Sequence, residues 1–152
     1  MRQIRLTFDA GVSVVAEMLD DEAPGVCDYI WSLLPVEGRT IHGMYSGAEV
    51  FLLFENALPA PRQNMVHLPL PGELLYFFDE GSGTVGGRRP VGEICMVYGR
   101  GVQLKAHEGA VTHASLFARI PGDWKRDWTD FAQACRKSRW EGPQLLRIDR
   151  VG

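Results

Sequence analysis

Cysteine, net charge and long apolar runs are all scarce in this sequence, and each scarcity removes a class of function. The three cysteines, Cys27, Cys95 and Cys135, are odd in number, show no C-x-x-C spacing and sit among apolar residues. They read as small buried hydrophobes in a reducing cytoplasm rather than as a disulfide framework or a metal motif. Lys and Arg number 16 against 19 Asp and Glu, a net charge of −3, which leaves no electrostatic footprint for DNA, RNA or an anionic membrane. No apolar run approaches the ~20 residues that cross a bilayer. The N-terminus, Met1 to Phe8, alternates polar and apolar residues and is expected to be a strand rather than a signal peptide. With no repeat, low-complexity tract or linker, the 152 residues are expected to form one domain over 1–152. A domain of that size buries roughly 70% of its unfolded surface and needs no staple.

Catalytic signatures are also sparse. Gly81-Ser-Gly83-Thr-Val-Gly86 matches G-x-G-x-x-G, but Gly87-Arg88-Arg89-Pro90 follows and leaves no room for the helix whose N-terminus would meet a pyrophosphate. The segment reads as a loop between strands, or as a weak anion-binding loop using Arg88 and Arg89. The histidines His42, His67, His107 and His113 form no H-x-H, H-x₃-H or H-E-x-x-H pattern, so no metal or other cofactor is expected. A metal site would have to assemble from distant strands. No G-x-S-x-G elbow exists, and Cys95 lies in Glu-Ile-Cys-Met-Val, a strand pattern in which a thiolate is disfavoured.

What is present is strand pattern. Leu68 to Phe78 and Glu93 to Arg100 are rich in aromatic and β-branched residues and bounded by Pro and Gly, as two central neighbouring strands would be. Ile4, Leu6 and Phe8 alternate, Asp9-Ala10-Gly11 turns, and Val12 to Leu19 returns, predicting an opening hairpin. Asp20-Asp21-Glu22-Ala23-Pro24 reads as a helix start. Val26, Tyr29, Ile30, Leu33 and Leu34 recur at helical spacing until Pro35. Strands are expected over Arg39–Tyr45 and Glu49–Phe54, then a long surface connection from Glu55 to Leu68 that is either functional or lid-like. Val111 to Ile120 alternates again, with Leu116, Ala118 and Ile120 on one face and His113, Ser115, Phe117 and Arg119 on the other. A second helix is expected over Asp123–Trp140 and a last strand over Leu145–Ile148. The order ββ-α-ββ-ββ-β-α-β argues against a doubly wound parallel sheet and for a mainly β, curled sheet with two helices.

The ordered set Glu17, Ala23-Pro24, Cys27, Trp31-Ser-Leu-Leu-Pro35, Gly38, His42, Tyr45-Ser-Gly47-Ala-Glu49, Pro71-Gly72-Glu73, Tyr76 and Tyr98-Gly99-Arg100 resembles a bacterial family of unknown function, DUF3830, of the cyclophilin-like superfamily. The resemblance spans Ile4 to about Arg150. It implies a closed antiparallel or mixed β-barrel of about eight strands, with a helix over each end. It also raises peptidyl-prolyl isomerisation. Active cyclophilins carry Phe-His-Arg followed by Phe-Met-x-Gln-Gly-Gly-Asp, whereas this chain reads Ile41-His42-Gly43-Met44-Tyr45-Ser46-Gly47-Ala48-Glu49. Gly43 stands where the arginine that hydrogen-bonds the prolyl amide belongs, and the electrostatic part of that catalysis is missing.

The candidate site comes from polar groups set in strands that otherwise want apolar residues. His42 and Glu49 are the candidate acid–base residues, and Tyr45, Tyr98, Arg100, His113 and Phe117 the candidate ligand-binding ones. In a closed barrel they would converge on one hollow offering a cation, a carboxylate, an imidazole and aromatic walls. Such a hollow suits a small polar or anionic metabolite and an accessory metabolic role. The bland alternative is a structural Arg100–Glu49 ion pair with tyrosines capping the barrel. A different class, a homo-oligomeric module or subunit using the Glu55–Leu68 connection, is also open. The resemblance supports it because components of allophanate hydrolase and oxoprolinase contain cyclophilin-like domains.

Overall fold

The computed structural model describes every residue except 56, 81–89, 107 and 108. The elements run β1 (Gln3–Phe8), β2 (Ser13–Met18), α1 (Pro24–Leu33), β3 (Val36–Arg39), β4 (Ile41–His42), β5 (Glu49–Glu55) and β6 (Met65–Val66). They continue β7 (Glu73–Asp79), β8 (Val91–Val97), β9 (Ala114–Arg119), α2 (Thr129–Trp140) and β10 (Leu145–Arg150). No described helix is long and apolar enough to cross a membrane. The Gly81–Arg89 segment, expected to be a loop, lies outside the described residues.

Every described pairing is antiparallel, in the order β3-β10-β1-β2-β9-β7-β8-β5-β4, with β6 paired to β9. The opening hairpin forms as its pattern predicts. Gly11 takes φ +91°, which the turn needs, and Ile4, Leu6 and Phe8 point into the core. The mainly β class with two helices is therefore present.

Closure is not as expected. Among the described residues β3 and β4, the ends of the path, do not pair. The strand expected over Arg39–Tyr45 is broken at Thr40, so that β3 pairs with β10 and β4 with β5. Thr40 is fully buried. Its hydroxyl shares a hydrogen bond with that of Ser138 on α2 and accepts from the Gln144 N–H, while its own N–H donates to the Gln144 carbonyl. These bonds satisfy the polar groups that leave the ladder, and one residue of chain bridges the sheet's two ends. The sheet curls like a barrel but is stitched at its seam by covalent chain and side chains.

The main core lies between the inner face of this curl and the two helices. Leu74, Ile94, Met96, Val50 and Phe117 meet Ile30 from α1 and Phe131 and Cys135 from α2. The opposite face of β5, β7 and β8 is also largely buried, by a second cluster including Leu75, Cys95, Val97, Leu104 and Leu116. That is why these strands read as continuous apolar runs rather than alternating ones.

Two further expectations are corrected. α2 starts at Thr129, not Asp123, because Asp123 caps a preceding turn and accepts from the Lys125 N–H through its side chain. The Glu55–Leu68 connection is neither free nor lid-like. The Gln63 side-chain carbonyl accepts from the N–H groups of Gly25 and Val26, capping α1, whose own Ala23 supplies no side-chain cap. Leu58 is clamped on both sides: its N–H donates to the Tyr29 hydroxyl, and its carbonyl accepts from the Tyr76 hydroxyl.

Candidate functional site

On the sheet face turned away from the helices, a cleft of about 970 Å³ opens over β5, β7 and β8. Period-two alternation decides its floor: Phe51 and Leu53 on β5, Glu93 and Cys95 on β8, and Phe77 on β7 point the same way. The register sets Glu93 between Leu53 and Phe77, and Cys95 between Phe51 and Leu75. The 41–46 segment, with His42 and Tyr45, makes one wall. Residues 104–106 and 112–115, with Arg62 and Met65, make the other.

The floor is acidic and partly dry. Glu49 is 6% exposed, and burial raises its pKa while hydrogen bonds from Ser46 and Cys95 pull it back. Glu93 is partly buried. Desolvation first, then the charges of Glu49 and Asp79, raise its pKa to about 7. Among the described residues no hydrogen bond or ion pair reaches its carboxylate. Cys95 is held as a thiol, its pKa pushed well up by burial and by the two glutamates. It is not a nucleophile in this state. A carboxyl group poised near neutrality in a cleft is the kind of group that binds cations or moves protons.

His42 lines the wall but is already engaged. Its Nδ1 lies 2.8 Å from the Gly43 carbonyl, which can only accept, so Nδ1 carries the proton in the neutral ring. Nε2 then accepts from the Tyr98 hydroxyl at 2.6 Å. Burial lowers the His42 pKa and favours this neutral form. Gly43 is itself packed in: a Cβ there would collide with the Ser46 Oγ, so no arginine fits without displacing that loop.

Of the residues singled out from sequence, the cleft gathers His42, Tyr45, Glu49 and His113. Tyr98 reaches it only through His42, its ring lying in the main core. Arg100 is not at the cleft. β8 ends at Val97, the Tyr98 N–H donates to the Ala48 carbonyl, and the chain turns through Gly101 at φ +81°, leaving Arg100 exposed. Phe117 is not there either: it is 0% exposed in the main core. The pairing of β7 with β9 slips at Leu74/Leu75, so that Leu74 faces Ala118 and Leu75 faces Leu116, skipping Phe117. That bulge inverts the face expected from strict alternation.

Glu93, Phe51 and Phe77 were missed. Glu93 carried the right signal, a charge within the run Val91-Gly-Glu-Ile-Cys-Met-Val, and the rule that picked Glu49 applies equally to it. Phe51 and Phe77 carried none, since an aromatic in a strand is ordinarily core. Among the described residues no three His, Cys, Asp or Glu side chains are grouped to hold a metal.

Residues 6–149 match the family described as "Protein of unknown function (DUF3830)". No curated protein matches the sequence. Among solved structures, one titled as McbB in complex with tryptophan superposes with a TM-score of 0.69 at 17% identity, covering 98% of this chain. This chain spans only 45% of McbB's length. A hypothetical protein from Archaeoglobus fulgidus, AF2241, superposes with a TM-score of 0.56 at 13% identity, covering 99% of this chain and 95% of its own. At these identities the likeness is one of fold alone, the curled, mainly β sheet with two helices described above.

Proposed function

We propose, from the premise that this chain belongs to the DUF3830 family, that it binds a small amine-bearing metabolite with an apolar or aromatic body in the cleft over β5, β7 and β8. The observation that carries this reading is Glu93, a partly buried carboxylate flanked by Leu53 and Phe77 with no partner among the described residues. Keeping an unpaired acid there costs stability, and a bound ammonium offsets that cost. The cleft volume falls within the roughly 300–1,000 Å³ of small-molecule sites. Phe51, Phe77 and Tyr45 suit a flat apolar body. McbB, of similar fold, has been solved with tryptophan, a ligand of this description. The anionic ligand expected from Arg100 loses its basis, because the deep charges of the cleft are carboxylates. If the protein is an enzyme, Glu93 is the group placed to exchange a proton with the amine, Glu49 the second acid, and His42 a positioning residue.

The test is a thermal-shift and calorimetry screen of aromatic amines beside carboxylates of the same size. Saturable binding of amines, lost in Glu93→Gln, supports the reading; binding that survives Glu93→Gln removes it.

A second reading, self-association, is favoured by Leu68 and Leu70, which remain mostly exposed on the connection into β7. Light scattering on dilution decides it: a monomer mass at all concentrations ends that reading.

A further inference from the structure

We propose that the cleft has a second, basic subsite on its β6–β9 wall, so that its preferred ligands are zwitterions with an ammonium at the floor and a carboxylate at that wall. This rests on the amine-binding reading and extends it to the other end of the ligand.

The charges of the cleft are segregated. Its carboxylates, Glu49, Glu93, Asp79 and Glu80, sit on or just after β5, β7 and β8, whereas Arg62, Lys105 and His113 sit across from them. The fold puts these three on one wall. β6 pairs Met65 with Ser115, Lys105 bridges Val111, and the Thr112 N–H donates to the Leu104 carbonyl. Arg62 is held to the same wall by its neighbour Gln63, whose N–H donates to Ser115 Oγ. His113 is steadied by His67, whose ring lies 5.4 Å from its own and whose Nδ1–H donates to the Thr112 carbonyl.

Neither Arg62 nor Lys105 forms an ion pair or side-chain hydrogen bond with another described residue, although acids line the same cleft. Neither cation is therefore neutralised by Glu49 or Glu93, the two glutamates set in the floor strands of the same cleft. A ligand with one charge satisfies one side and leaves the other as it was. A ligand with both bridges them, and a guanidinium grips a carboxylate with paired N–H groups. Both cations are exposed, so screening limits their combined effect to about fivefold in affinity.

The experiment compares phenylalanine, phenethylamine and hydrocinnamate, which share one ring and differ in charge, by calorimetry on the full chain and on an Arg62→Ala/Lys105→Ala double variant. The expected order is phenylalanine tighter than phenethylamine by about fivefold, with hydrocinnamate weakest. In the double variant that gap closes while phenethylamine binds as before; an unchanged melting temperature shows that the fold is intact. Equal affinities in the wild type, or a gap that survives the double variant, overturn the basic subsite alone. Failure of both amine-bearing probes to bind overturns the reading of the floor, and this proposal with it.

Discussion

Glu93 stands directly across from Phe77 in the ladder between β7 and β8, with Leu53 opposite it on β5. An ionisable group in that apolar row is unfavourable for folding, and its pKa of about 7 records the cost.

Glu93→Gln is therefore expected to stabilise the protein while removing amine binding. A carboxyl whose folded pKa is raised contributes stability below its unfolded pKa near 4.5 and loses it as pH rises through about 7. The variant should unfold like the wild type near pH 5 and be more stable by roughly 2 kcal/mol at pH 8. Urea unfolding at the two pH values measures this, and a wild-type stability flat across the interval would contradict it.

Amine binding should follow the ionisation of the same group. Affinity is expected to hold steady above pH 7 and to fall by about tenfold per unit well below it, as protons compete with the ammonium. Calorimetric titration of phenethylamine from pH 5.5 to 8.5 reads the slope.

Tyr98→Phe removes the donor to His42 Nε2 and leaves that nitrogen without its partner. A cost of about 1 kcal/mol is expected, with the His42 pKa moving up because the neutral ring loses a hydrogen bond. In the wild type the lowered His42 pKa makes stability fall as pH drops below about 6.5. Proton NMR of the imidazole tracks both effects.

Gly25→Ala sets two effects against each other. Alanine favours a helix over glycine by about 1 kcal/mol, but the new Cβ would lie 2.7 Å from Pro61 Cγ in the strapped connection. Overpacking of about 1–3 kcal/mol is expected to win, and Gln63→Ala, which uncaps α1, should cost about 1 kcal/mol. Thermal unfolding with a higher melting temperature for Gly25→Ala would show that the connection is looser than its contacts imply.

Arg100→Ala serves as the control. On an exposed turn away from the cleft, it should change stability by less than about 0.5 kcal/mol and leave amine binding as it was. Lost binding would return Arg100 to the site.

What the sequence by itself determined is local. Alternation in Ile4-Arg-Leu-Thr-Phe8, the turn at Gly11 and the helical spacing from Val26 to Leu33 specify the hairpin and α1, because neighbouring residues alone decide which face is apolar. The placement of Glu49 in an apolar strand marked it for the site in the same way. Tertiary structure alone decided the rest. The break at Thr40 depends on Ser138 and Gln144, about a hundred residues away, and the cap of α1 depends on Gln63. One bulge turned Phe117 into the core, and the end of β8 at Val97 carried Arg100 out of the site. Register across strands, not composition within them, set Glu93 between Leu53 and Phe77, since a cross-strand neighbour is chosen by pairing that no single stretch of chain encodes.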